Sequence, residues 1–166
     1  MRFGRIFYGI VILVCLLEMA RLWNIAPEQM AAHFNIQGDP DRFVPKAQFF
    51  WFEIQTFLIV ILVSLPLQFL FLVLPPSLIN MPNREYWLAP ERRAETLGCL
   101  SSFGAMLFGV ILLVIQAAFE ISVYANLQTP IVFNAPLMTV IMVSSMILIG
   151  LMLVELALSF RLPTAK

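Results

Sequence analysis

LGCLSSFGAMLFGVILLVIQAAF, residues 97–119, contains no charged side chain from Leu97 to Phe119. A helix needs about 20 apolar residues to cross the hydrocarbon of a bilayer, and this stretch supplies them. Three further stretches meet or approach that length: Ile6–Leu22, Phe49–Leu74 and Leu137–Phe160. Of the 166 residues, 61% are hydrophobic and 12% charged, whereas soluble domains are about half apolar and a quarter charged. The expected fold is all-α: one four-helix transmembrane domain over residues 1–166, with the lipid bilayer as its main partner. A net charge of zero offers no basic stripe for nucleic acid. Cys15 and Cys99 lie in or beside apolar stretches and read as small hydrophobes, since they have no disulfide or metal spacing.

The first stretch follows Met-Arg-Phe-Gly-Arg, as in a signal peptide. Glu18, Arg21 and Trp23 stand where a cleavable signal needs small residues, so an uncleaved helix is expected. Lysine and arginine favour cytoplasmic loops. Arg2 and Arg5 precede the first span, Arg84, Arg92 and Arg93 separate the second from the third, and Arg161 and Lys166 follow the fourth. The loop between the first two spans sets Arg42 and Lys46 beside Glu28, Asp39 and Asp41, and the third–fourth loop has no basic residue. This bias gives an N-in, C-in topology. Trp23 and Trp51 then mark the outer interface, and Tyr86 and Trp87 the inner one.

The outer loop is expected to be an ordered cap. Pro27 suits the first turn of a short helix running to Ala32, and Asn35-Ile36-Gln37-Gly38-Asp39-Pro40-Asp41 is dense in turn formers. In the inner loop, Pro75-Pro76 ends the second helix and Asn80–Asn83 forms a turn. Pro90 starts an interfacial helix that continues into the third span, with Arg92 and Arg93 expected to meet lipid phosphates. Ser101, Ala105 and Gly109 recur every four residues, a small-residue seam for close helix contact, and the same face leads to Gln116 and Glu120. Glu53, Thr56, Ser64 and Gln68 form a comparable stripe on the second span, and the two stripes are expected to face each other. Pro66 is expected to kink that span.

Each span has one associated glutamate. Carboxylates are costly in hydrocarbon and mark candidate sites. Glu18, Glu53 and Glu120 fall near the outer ends of their spans, beneath the loop bearing His33, Asp39 and Asp41, whereas Glu155 is alone on the inner side. An outer polar chamber is one expectation, for a proton, an ion, or a metal such as zinc or manganese. The plainer one is that the acids reach the headgroups, with Glu18 neutralised by Arg21. His33 reads either as a hydrogen-bonding partner of Asp41 or as a sensor of external pH. No hydrolase, kinase or cofactor motif is present, so no catalytic residue and no cofactor is expected.

Pro27, His33-Phe34-Asn35, Gly38, Pro40-Asp41 and Lys46 resemble the signature of domain-of-unknown-function family 1648. Those bacterial membrane proteins carry Pro-x-x-x-x-x-His-Phe/Trp-Asn, then Gly-x-Pro-Asp and a lysine. Asn80–Leu88 followed by Pro90-Glu91-Arg92-Arg93 is similar to their second loop. The resemblance implies a four-helix protein of a bacterial inner membrane with a shared outer-loop site at His33, Asn35, Asp41 and Lys46. In SdpI-type immunity proteins, which protect a cell from a secreted toxin and signal its presence, such a domain precedes a further membrane region.

These readings lead to a non-enzymatic membrane protein whose outer loop binds a ligand, peptide or partner protein. The binding candidates are His33, Asn35, Asp41, Lys46, Glu53, Glu120 and Glu18, and the inner interface candidates are Arg84, Tyr86, Trp87, Arg92 and Arg93. The alternatives are a small proton- or ion-coupled transporter or membrane enzyme using Glu53 and Glu120, and an assembly subunit whose seam packs on another protein. A homo-oligomer is compatible with each.

Overall fold

The computed structural model describes residues 3–162, and Arg2 and Lys166 of the charge argument lie outside them. Helix α1 (Phe3–Ile25) leads into a hairpin of strands β1 (Gln29–Phe34) and β2 (Pro40–Pro45). Helix α2 (Lys46–Val73), a short 3-10 turn at Pro76–Leu78 and the single-turn helix α3 (Arg84–Trp87) follow. Helices α4 (Pro90–Asn126) and α5 (Ala135–Ser159) complete the chain. The four long helices are each long and apolar enough to cross a membrane, and the protein is a multi-pass membrane protein.

Helix α4 is the hub, packing against α1, α2 and, less extensively, α5. Its small residues explain this. Ser101, Ala105 and Gly109 are buried, and a Cβ added at Gly109 would lie 2.6 Å from Phe7 Cε1 on α1. Close approach of this kind replaces the hydrophobic drive that is missing between helices in lipid. The seam packs against α1 of the same chain. On α1 the buried residues Gly4, Tyr8, Val11, Cys15, Met19 and Leu22 repeat every three or four positions, as one helix face requires.

Of the second span's polar stripe, Ser64 and Gln68 are buried and Thr56 is exposed, its hydroxyl donating to Phe52 O. Ser64 Oγ meets Tyr8 Oη of α1 at 2.5 Å, so this part of the stripe faces α1. Helix α2 continues through Pro66. Helix α5 buries only Met152 among its described residues and otherwise offers an apolar surface suited to lipid.

The connections close the bundle ends. Pro90 opens α4, and the interfacial stretch runs unbroken into the third span, as its sequence implies. Arg93 Nη2 donates to Leu74 O at the end of α2, so Arg93 caps a helix instead of meeting lipid. Asn83 Nδ2 and Trp87 Nε1 both donate to Phe160 O at the end of α5. Ile79, Leu88 and Leu97 form a small core beneath them.

The outer loop departs from expectation. Residues 29–34 form a strand, not a continuation of a helix from Pro27. Antiparallel pairing with β2 supplies long-range partners that a short isolated helix would lack, and tertiary context overrides local preference. Gly38 takes φ 87° in the connecting turn, a conformation suited to glycine.

Candidate functional site

Residues from three segments hold the hairpin rigidly over one end of the bundle. Asn126, at the last turn of α4, is buried with its amide against β1. Its Oδ1 accepts from Ala31 N at 2.6 Å, and its Nδ2 donates to Ala31 O at 3.1 Å and to Ser122 O at 2.8 Å. This side chain completes the free edge of β1 as a third strand would. At the base, Lys46 Nζ reaches Glu28 Oε1 at 3.0 Å and Ala26 O at 3.3 Å, and lies 4.9 Å from the Trp23 ring centroid. At the tip, Asn35 Oδ1 accepts from Gln37 N and Asp39 N, each at 2.9 Å. Asn35 and Lys46 therefore shape the hairpin from within.

His33 Nδ1 and Asp41 Oδ1 are 2.6 Å apart across the hairpin, both side chains largely exposed. This is the partner the sequence offered for His33. The turn presents Ile36 to solvent, 98% exposed. Beside it runs a groove of ≈ 510 Å³ between His33–Gly38 and the Phe133–Pro136 connection. The two loops touch through Phe34 and Phe133, with ring centroids 5.2 Å apart.

The acids expected to gather have separate surroundings. Glu18 Oε2 accepts from Arg21 Nε at 2.6 Å, and Arg21 Nη1 reaches Tyr124 Oη at 3.0 Å, which makes Glu18 part of a partly exposed chain between α1 and α4. Glu120 Oε1 accepts from Gln116 Nε2 at 3.2 Å. Glu53 lines a cleft of ≈ 310 Å³ between α2 and α4. Its Oε1 is buried without a hydrogen-bond partner, and among the described residues no cation pairs with it. Glu18 and His33 pair instead with Arg21 and Asp41. Among the described residues no three His, Cys, Asp or Glu side chains gather to hold a metal ion, and the zinc or manganese reading has no ligand set.

Glu155 has company that the sequence did not suggest. With Glu95 and Cys99 it borders a groove between α4 and α5. At the same end, Arg92 stacks 4.1 Å from the Tyr86 ring centroid, and Arg84 Nη1 lies 3.5 Å from Ser77 O. Tyr86 packs edge-on against Trp87 at 5.0 Å. These inner residues join the loop to α2 and α5.

Residues 9–54 match the family model described as domain of unknown function (DUF1648). The matched segment covers less than a third of the chain. It contains most of α1, the whole hairpin and the first turns of α2, and so includes Glu18, His33, Asn35, Asp41, Lys46 and Glu53. Asn126 lies beyond the match and is brought to it by the fold. No curated protein and no solved structure matches the chain.

Asn126, Ile36 and Phe133 were not legible as site residues. Asn126 does share a helix face with Gln116 and Phe119, and a polar residue ending that face is a usable signal. Ile36 was visible as a lone large apolar residue inside a turn-forming stretch.

Proposed function

We propose that this protein binds a peptide or a partner membrane protein through its outer hairpin, and that its role is recognition rather than catalysis. One observation carries the reading: a hairpin braced by Asn126 and Lys46 presents an almost fully exposed Ile36 beside a groove of ≈ 510 Å³. An exposed aliphatic side chain on a rigid turn loses little conformational entropy when it docks, which favours binding. His33 and Asp41 flank this surface and supply polar contacts at its rim. The resemblance to SdpI-type immunity proteins adds a secreted toxin to the candidate occupants, and a bacterial inner membrane is the corresponding setting.

The test joins crosslinking to complementation. A photocrosslinking residue at position 36 should trap a discrete partner in native membranes, with the same residue at Leu62 on the lipid-facing side of α2 as the control. Ile36→Asp, His33→Ala and Asp41→Ala should each weaken complementation of a deletion strain. Full complementation by all three variants would reject the hairpin as the binding surface.

A further inference from the structure

We propose that the cleft between α2 and α4 binds an organic ammonium ion: a protonated primary amine on a short apolar chain. Among its lining residues the site meets the hairpin only at Ala32, and it does not depend on Ile36. Glu53 lies seven residues beyond the start of α2 at Lys46, about 10 Å along the helix axis. A buried ionised carboxylate is costly without a positive partner, and among the described residues none pairs with it.

Glu53, which lines this cleft, holds its Oε1 buried with no donor among the described residues. A ligand suited to it brings N–H groups and positive charge together. An ammonium group offers three donors and no acceptor.

The walls select against a bare ion. Phe49, Phe52, Phe119, Ile115 and Ala118 surround the carboxylate, whereas hard cations require six or more oxygens. Aromatic faces favour an organic cation, and an alkyl chain suits the rest of the lining. The volume of ≈ 310 Å³ lies at the small end of ligand sites. Ala32 of β1 and Ser122 of α4 border the cleft toward the hairpin.

The experiment is calorimetric titration of the full-length protein in lipid nanodiscs with n-butylammonium. Two controls separate the contributions: n-butanol has the chain without the charge, and tetramethylammonium has the charge without N–H donors. Saturable binding of n-butylammonium alone is expected, and Glu53→Gln should weaken it about tenfold or more, the scale of one lost charged hydrogen bond. Ala118→Phe fills the cleft while leaving Glu53 in place, and should abolish binding even if Glu53→Gln fails to fold. Ile36→Asp should leave the titration unchanged, which separates this site from the hairpin. Equal binding of either control, or undiminished binding by Glu53→Gln or Ala118→Phe, overturns the proposal.

Discussion

The side-chain amide of Asn126 pairs with both backbone groups of Ala31, accepting from its N–H at 2.6 Å and donating to its C=O at 3.1 Å. The two residues are 95 positions apart, and their contact fixes the hairpin to the end of the central helix. Both sides of the interaction are buried, so neither group has water as a substitute.

Asn126→Leu leaves the N–H and C=O of Ala31 without partners, at about 1–3 kcal/mol for each buried group. The damage should be local. Amide hydrogen exchange across residues 29–34 should accelerate markedly while exchange within α1 and α4 stays slow. Asn126→Asp is expected to be nearly as harmful, because it turns an acceptor toward the carbonyls of Ala31 and Ser122.

Lys46 and Glu28 form an ion pair whose two ends are unequal. The lysine side chain is 14% exposed and the glutamate 87%. Glu28→Gln should change thermal stability by less than about 1 kcal/mol, as for most exposed pairs. Lys46→Met also loses the bond to Ala26 O and the contact with Trp23, and should cost about 1–3 kcal/mol. Thermal unfolding of the two variants in one detergent gives the comparison.

Gly4 and Gly109 both line the α1–α4 contact but should differ in tolerance. A Cβ at Gly4 collides with the backbone carbonyl of Ser102, which cannot swing aside, whereas at Gly109 it meets the ring of Phe7. Gly4→Ala should therefore lower the unfolding temperature more than Gly109→Ala. The reverse order would mean that the two helices do not meet as described.

Trp87→Phe keeps a ring of similar shape but removes the Nε1 donor to Phe160 O. A loss of about 1 kcal/mol is expected, with faster hydrogen exchange at the end of α5. Arg93→Ala should produce the parallel effect at the end of α2, through Leu74 O. Limited proteolysis of the inner loop provides a second measure for both.

Legibility followed the range of the interactions. Residues 97–119 announced a membrane helix by composition alone, and the small-residue seam announced a close helix contact. Pro75-Pro76 and Pro90 marked helix boundaries through their missing N–H groups. The strand at residues 29–34 escaped because its hydrogen bonds go to β2 and to Asn126, so Pro27 and Glu28 gave a misleading local signal. The acids could be ranked by depth, since depth follows sequence position. Their facing could not, and Glu18 turned toward Arg21 and Tyr124 while Glu53 turned toward the cleft.

Sequence by itself determined that four segments cross a membrane, because backbone groups in hydrocarbon must bond within a helix and side chains there must be apolar. It also marked the boundaries at Pro75-Pro76 and Pro90, whereas α4 runs on to Asn126, beyond Phe119. Only the tertiary structure decided that α4 is the central helix, that Asn126 holds the hairpin, and that Glu53 and Phe119 line one cleft. The physical reason is that bilayer insertion acts on each segment separately, whereas a side chain's partner depends on the rotation and depth of the neighbouring helices.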